Sequence, residues 1–311
     1  MRYARLKKRL DAGETLILDG ATGTELQRRG APMDADAWCG PATLEHERLL
    51  TEIHADYIRA GAEVITANTF ASSRLMLSRA GLGERVREVN ERAVAAALRA
   101  RDIAGNDSIV VAGSLSHMVP ILQGKESQDP ALLPSDHEIA DALHELAGIL
   151  AGAGCELILL EMMYHPGRVR SALEAARATG LPAWFGASAR RGRGGDVVSY
   201  YQSEEVPLQA IVDLIPSAGV DAAGIMHTGA DIVADALREV RRRFAGPLMA
   251  YPDSGYFEMP DWRFVDVIAP ERFEGLCRAW IASGVQIVGG CCGLTPDHIH
   301  AAVRARDSKP R

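Results

Sequence analysis

Val285-Gln286-Ile287-Val288-Gly289-Gly290-Cys291-Cys292-Gly293 joins a short apolar run of strand type to two glycines and two adjacent thiols. It is the last of a series. Runs of the same kind occur at Thr15 to Leu18, Glu63 to Ala67, Ser108 to Gly113, Leu157 to Leu160, Ala183 to Ala187, Ala222 to Met226 and Pro247 to Ala250, and the series closes at Gln286 to Val288. The segments between them, such as Ala230 to Phe244 and Pro270 to Ser283, have helical character and are long enough for crossovers. Strands alternating with helices imply a parallel sheet. Eight such units in 311 residues predict an α/β protein, a (β/α)8 TIM barrel forming a single domain over residues 1–311. An open doubly wound sheet is the alternative. The longer insertions, Gly20 to Thr43, Ser114 to Asp136 and Ser188 to Pro207, all follow strands, and no Pro/Gly/Ser linker divides the chain.

Barrel enzymes carry their chemistry at the C-terminal ends of the strands. In this chain those ends are Asp19, Asn68, Ser114, Glu161, Ser188, His227, Tyr251-Pro252-Asp253 and the Cys291-Cys292 pair. Adjacent cysteines are poorly placed to bridge each other, but two neighbouring thiolates can face one soft metal ion. The expected cofactor is Zn2+, with a third protein ligand supplied from elsewhere in the chain.

A net charge of −7 argues against a nucleic-acid partner, because such proteins concentrate basic surface. The dense basic runs fit other roles: Arg241-Arg242-Arg243 reads as the solvated C-terminal end of a helix, and Arg190-Arg191-Gly192-Arg193 as a mobile loop among glycines. The first ten residues are basic and amphipathic without a signal-peptide core, and no apolar stretch nears the roughly 20 residues a membrane span needs. Five cysteines, an odd count, suit a reducing compartment. The expectation is a cytoplasmic protein with small-molecule partners, no membrane or nucleic acid, and a possible homo-oligomer.

Four motifs carry a resemblance to a known family: Asp19-Gly20-Ala21-Thr22-Gly23-Thr24-Glu25-Leu26; Ile53 to Phe70, which ends in Thr66-Ala67-Asn68-Thr69-Phe70; Tyr251-Pro252-Asp253-Ser254-Gly255; and Gly289-Gly290-Cys291-Cys292-Gly293 followed by Thr295-Pro296-Asp297-His298-Ile299. Together they span nearly the whole chain, which resembles the homocysteine S-methyltransferases. The resemblance implies a barrel with one zinc held by three cysteines, two of which match Cys291 and Cys292. It implies catalytic and substrate-binding roles for Asp19 and Glu161, holding the amino group of an amino-acid substrate, and places Asn68 and Thr69 near the site. Helix capping for Asp19 and backbone support for Asn68 and Thr69 are the competing accounts. Gly20 and Gly23 suit a tight turn or a close approach to ligand, Tyr251 is expected to touch substrate, and His54 reads as structural.

The third family cysteine closes a Gly-(Val/Ile)-Asn-Cys segment, and the matching residues here are Gly224-Ile225-Met226-His227. Imidazole is among the few side chains that can replace thiolate on zinc, so the expected ligands are His227, Cys291 and Cys292. The chain also departs from the family at Gly113-Ser114-Leu115-Ser116-His117-Met118 and at Met162-Met163-Tyr164-His165, both beside the expected site. The implied activity is methyl transfer from a small onium donor, such as S-methylmethionine, S-adenosylmethionine or a betaine, to homocysteine or a related thiol. Trp38, Phe70, Tyr164, Tyr251 and Tyr256 lie in or beside rim segments and could cage such a cation. A zinc-dependent hydrolase on the same barrel and a non-catalytic zinc- or thiol-binding protein remain the alternatives.

Overall fold

The structure, a computed structural model, describes residues 2–120, 132–258 and 263–308, so part of the insertion expected from Ser114 to Asp136 lies outside the described residues. Eight strands form the barrel: β1 (Leu16–Ile17), β2 (Val64–Ala67), β3 (Val110–Ser116), β4 (Leu157–Met163), β5 (Ala183–Ala187), β6 (Ala222–Gly229), β7 (Leu248–Asp253) and β8 (Val285–Val288). All pair in parallel, in the order β1-β8-β7-β6-β5-β4-β3-β2. Leu18 bridges Val64 in parallel, with Glu63 N donating to Ile17 O at 2.8 Å and Asp19 N to Val64 O at 3.1 Å. Those contacts close the ring, so the chain forms a (β/α)8 TIM barrel and not an open sheet.

The strands read as apolar runs because both their faces are covered, one by the barrel interior and one by helices. Residues of β5 illustrate this: Trp184, Phe185 and Ala187 are fully buried. Several strands run further than their apolar sequence predicts, β3 to Ser116, β4 to Met163, β6 to Gly229 and β7 to Asp253. Hydrophobicity marks only the length of strand inside the core, whereas the hydrogen-bond ladder continues into the polar mouth. Outside the ring lie amphipathic helices, among them Glu47–Ala60, Val86–Ala104, Asp136–Ala153, Pro270–Ala282 and Pro296–Asp307. Ser135 and Glu138 form a reciprocal capping box at the start of Asp136–Ala153, and Gly154 ends that helix in the left-handed conformation.

The N-terminal residues form the helix Arg2–Asp11, whose Leu6 and Leu10 are buried. Arg241 ends the helix Val233–Arg241, as its charge suits. The arginine-glycine run at 190–193 differs from its expected loop: Ala189–Arg191 pairs antiparallel with Val197–Ser199 in a hairpin above the barrel mouth. The β-branched pair Val197-Val198 favours the second strand, and the glycines occupy the turn.

His54 takes the structural role expected of it, fully buried within Glu47–Ala60, with neither ring nitrogen hydrogen-bonded among the described residues. Burial pushes its pKa down to about 4. Since the unfolded chain protonates this imidazole near 6.5, folding leaves a proton behind between those values, and stability falls as pH drops from 6.5 towards 4. His54→Leu removes that loss: in denaturant unfolding, its stability relative to the parent should rise by on the order of 3 kcal/mol between pH 7 and pH 4.

Candidate metal centre

Gly289 and Gly290 let the chain turn from β8 across the end of β1. A Cβ on Gly289 would stand 2.7 Å from Leu18 O and 2.8 Å from Asp19 O, a separation only glycine tolerates. Gly290 N donates to Asp19 O at 3.0 Å, Cys291 N to Pro252 O at 2.6 Å, and Ser254 N to Cys292 O at 3.1 Å. Backbone bonds at the ends of β1 and β7 therefore fix both cysteines at the barrel mouth.

His227 arrives by a different device. Between Met226 and Gly229 the register of β6 on β7 slips, and His227 itself lies in the left-handed region at φ 46°. Ser188 Oγ and Thr228 Oγ1 both donate to Met226 O, at 2.7 and 2.8 Å, and Ala189 N donates to Thr228 Oγ1 at 2.9 Å. The slip turns the imidazole inward, where Phe70 stacks on it at 6.2 Å and Tyr200 meets it edge-on at 5.7 Å. β4 does the same at Glu161, with a slip between Leu160 and Met163 and Met162 at φ 59°.

The three candidate ligands converge. His227 Nδ1 lies 3.2 Å from Cys291 Sγ and 3.7 Å from Cys292 Sγ, and the two sulfurs are 3.9 Å apart. Tetrahedral zinc with Zn–S of about 2.3 Å and Zn–N of about 2.05 Å requires S···S of about 3.8 Å and S···N of about 3.6 Å. The residues present fit zinc as three ligands with one position left open. The bond to Cys292 and burial push the Cys291 thiol well up, opposed by the adjacent His227, and Cys292 is raised because burial outweighs its bond to Cys291. Burial alone would lower His227, but attraction to Cys291 wins and holds it up at about 10.

Two recesses meet at this triangle. A cavity of about 320 Å³ is lined by Trp38, Phe70, Tyr164, Tyr200, Tyr256 and Phe264, with Asp253 and Arg190. A narrower cleft of about 40 Å³ is lined by Glu161, Asn68, Tyr251, Cys39 and Thr22. His227, Cys292, Trp38 and Phe70 belong to both.

Among the expected substrate residues, Glu161, Asn68 and Tyr251 line the cleft, while Asp19, Gly20 and Thr69 stand behind its wall. Glu161 Oε2 accepts from Ser114 Oγ, and its Oε1 lies 3.9 Å from Cys291 Sγ. Asp19 is fully buried: Oδ2 accepts from Thr66 N at 2.6 Å and Oδ1 from Thr66 Oγ1 at 3.0 Å. It caps no helix, since the adjacent helix Thr22–Arg28 starts at Ala21 without a side-chain cap. Gly20 makes room for the protein's own Tyr57 and Leu294 O, which a Cβ would meet at 2.4 and 2.5 Å, and it adopts no left-handed turn. Asn68 Nδ2 donates to Cys39 O and Thr43 Oγ1, both at 3.0 Å, and Thr69 Oγ1 donates to Ser114 O at 2.8 Å, so both support the rim.

The sequence did not point to Tyr200, Phe264 or Cys39. The first two ride on antiparallel hairpins, Tyr200 just beyond Ala189–Ser199 and Phe264 in the pair Tyr256–Glu258 with Arg263–Val265. The β-branched pair Val197-Val198 just beyond a glycine-rich turn is the signal that could have found the first hairpin.

A closed (β/α)8 barrel with a soft-ligand triangle at its C-terminal mouth is the frame of an enzyme. The sequence profile of the homocysteine S-methyltransferase family matches residues 16–306, and the chain belongs to that family and is a methyltransferase. It is 28% identical to the homocysteine S-methyltransferase of Escherichia coli K12, over 97% of this chain and 98% of that protein. It is 27% identical to a selenocysteine methyltransferase of Astragalus bisulcatus, over 96% and 94% respectively. The metallated form of the E. coli homocysteine methyltransferase MmuM superposes with a TM-score of 0.75 at 25% identity, covering 96% of this chain and 98% of that one. No helix among the described residues is long and apolar enough to cross a membrane.

Removing one corner of the triangle should remove tight metal binding. In chelator competition, His227→Ala and Cys292→Ala are each expected to weaken zinc binding at least about a hundredfold, more than loss of an outer partner would, whereas His227→Cys keeps it tight. Parent-like affinity in His227→Ala would remove the imidazole from the ligand set.

Proposed function

We propose that the chain is a zinc-dependent thiol S-methyltransferase, taking a methyl group from a small onium donor to homocysteine or a related thiol. The observation that carries this is the His227–Cys291–Cys292 triangle at the junction of two recesses, one for each reactant. Relatives named for homocysteine and selenocysteine methylation, and a structural neighbour solved in a metallated form, support it. Bound zinc would supply an open position at which an alkyl thiol, pKa near 8.5 in water, is deprotonated at neutral pH.

The protein's own residues then orient the reactants. The cleft accepts the amino-acid end of the thiol, with the carboxylate of Glu161, held by Ser114 and beside Cys291, serving the ammonium group. Asp19 acts from behind: it fixes Thr66 and stands 3.5 Å from the Tyr251 hydroxyl. The acceptor thiolate attacks the donor's methyl carbon from the cleft side, a C–S bond forms, and the electron pair of the breaking bond returns to the donor's sulfur or nitrogen. Aromatic walls on the other side exclude water and suit an onium cation. A neutral imidazole in place of a third thiolate leaves the centre one charge more positive, which favours thiol deprotonation and lowers the nucleophilicity of the thiolate. The hydrolase and non-catalytic readings lack comparable support, because family membership makes the chain a methyltransferase.

Zinc-loaded protein incubated with homocysteine and, separately, S-methylmethionine, S-adenosylmethionine or a betaine should yield methionine with at least one donor. Glu161→Gln should raise KM for the thiol about ten- to a hundredfold while leaving zinc content and donor KM unchanged. Zinc-loaded protein that methylates no thiol with any of these donors would falsify the proposal.

A further inference from the structure

Each recess holds one carboxylate among its described lining residues, Glu161 in the cleft and Asp253 in the larger cavity. The mechanism above uses Glu161 and leaves Asp253 idle. Asp253 ends β7 beside the Met226–Gly229 slip and is half-buried on the cavity wall. It makes no ion pair with a described residue, and the hydrogen bond it accepts comes from its own backbone N–H. Burial pushes its pKa up, an effect that the nearby His227 partly offsets.

Arg190, the cavity's guanidinium, is turned to other partners. Its Nε and Nη2 donate to Tyr201 O at 3.3 and 2.9 Å, its Nη1 donates to Arg191 O at 3.2 Å, and Nη1 lies 3.8 Å from Glu205. What remains is a single carboxylate among aromatic rings, a setting that favours a cation over a neutral molecule of equal shape. The charge count agrees. Two thiolates and a neutral imidazole cancel a divalent ion, so before the acceptor thiolate binds, Asp253 is the negative charge that this cavity offers a cationic donor.

Resting on the methyltransferase reading above, we propose that Asp253 is the donor-side specificity residue, the counter-charge that admits an onium methyl donor and turns away neutral molecules of the same size. Glu161 and Asp253 thus divide the two cationic groups between the recesses, one for the acceptor's ammonium and one for the donor's onium.

Zinc-loaded protein is titrated calorimetrically with choline and with its neutral carbon isostere 3,3-dimethylbutan-1-ol, neither of which needs to react. The parent should prefer choline by about tenfold or more, Asp253→Asn should abolish the preference, and Asp253→Glu should restore part of it. In turnover, Asp253→Asn should raise donor KM about ten- to a hundredfold with acceptor KM unchanged, the reverse of Glu161→Gln. Retained cation preference in Asp253→Asn overturns the proposal, as does a parent that shows none. A fall in zinc affinity with cation preference intact also overturns it and makes Asp253 a positioning residue for His227. If no donor supports methyl transfer, the functional reading fails, while the choline comparison still decides what Asp253 does.

Discussion

Asp19 ties the barrel seam to the site. β1 is only two residues long, yet it must close the ring between β2 and β8. Asp19 does much of that joining: its N–H donates to Val64 O, its carbonyl accepts from Gly290 N, and its carboxylate binds the backbone and hydroxyl of Thr66. Burial alone pushes its carboxyl well up, and the Thr66 bonds pull against that. A buried carboxylate is costly unless hydrogen-bonded, and here the bonds it recruits tie the end of β1 to Thr66 of β2, while its own backbone carbonyl holds the Gly289-Gly290 turn. The cysteines sit where they do because that seam is closed.

Register slips do the aiming. A parallel strand alternates its side chains, so a regular β4 or β6 would direct successive residues alternately inward and outward. At Glu161-Met162 and at His227 the ladder gives way, and left-handed residues turn the functional groups into the mouth. Neither residue is glycine, so the conformation carries strain that the surrounding bonds must offset. For His227 those bonds come from Ser188 and Thr228, with Phe70 and Tyr200 against the ring. Loss of any of these supports would let the imidazole drift from the two sulfurs without touching a ligand.

The two recesses differ in character because different elements build them. Strand ends supply the cleft with Glu161, Asn68 and Tyr251, whose positions the barrel fixes tightly. Insertions and hairpins supply most of the cavity wall, including Trp38, Tyr200, Tyr256 and Phe264. Such segments can vary without disturbing the ring.

The sequence by itself determined eight parallel βα units, because apolar runs recur with crossover helices between them, and it determined that thiols, imidazole and carboxylates stand at several strand ends, while the Leu18–Val64 bridge decided that the sheet closes. It also carried the family, through motifs spread along the chain. Only the tertiary structure decided which of those residues face the mouth. Asp19, Gly20 and Thr69 occupy strand-end positions like those of Glu161 and Asn68, yet they stand behind the wall, since orientation depends on register slips and on neighbouring strands far away in sequence. Tyr200 and Phe264 were hidden for the same reason. A hairpin's local pattern shows that it pairs with itself but not what it leans over, and the approach of two hairpins to one metal triangle is a property of the closed ring alone.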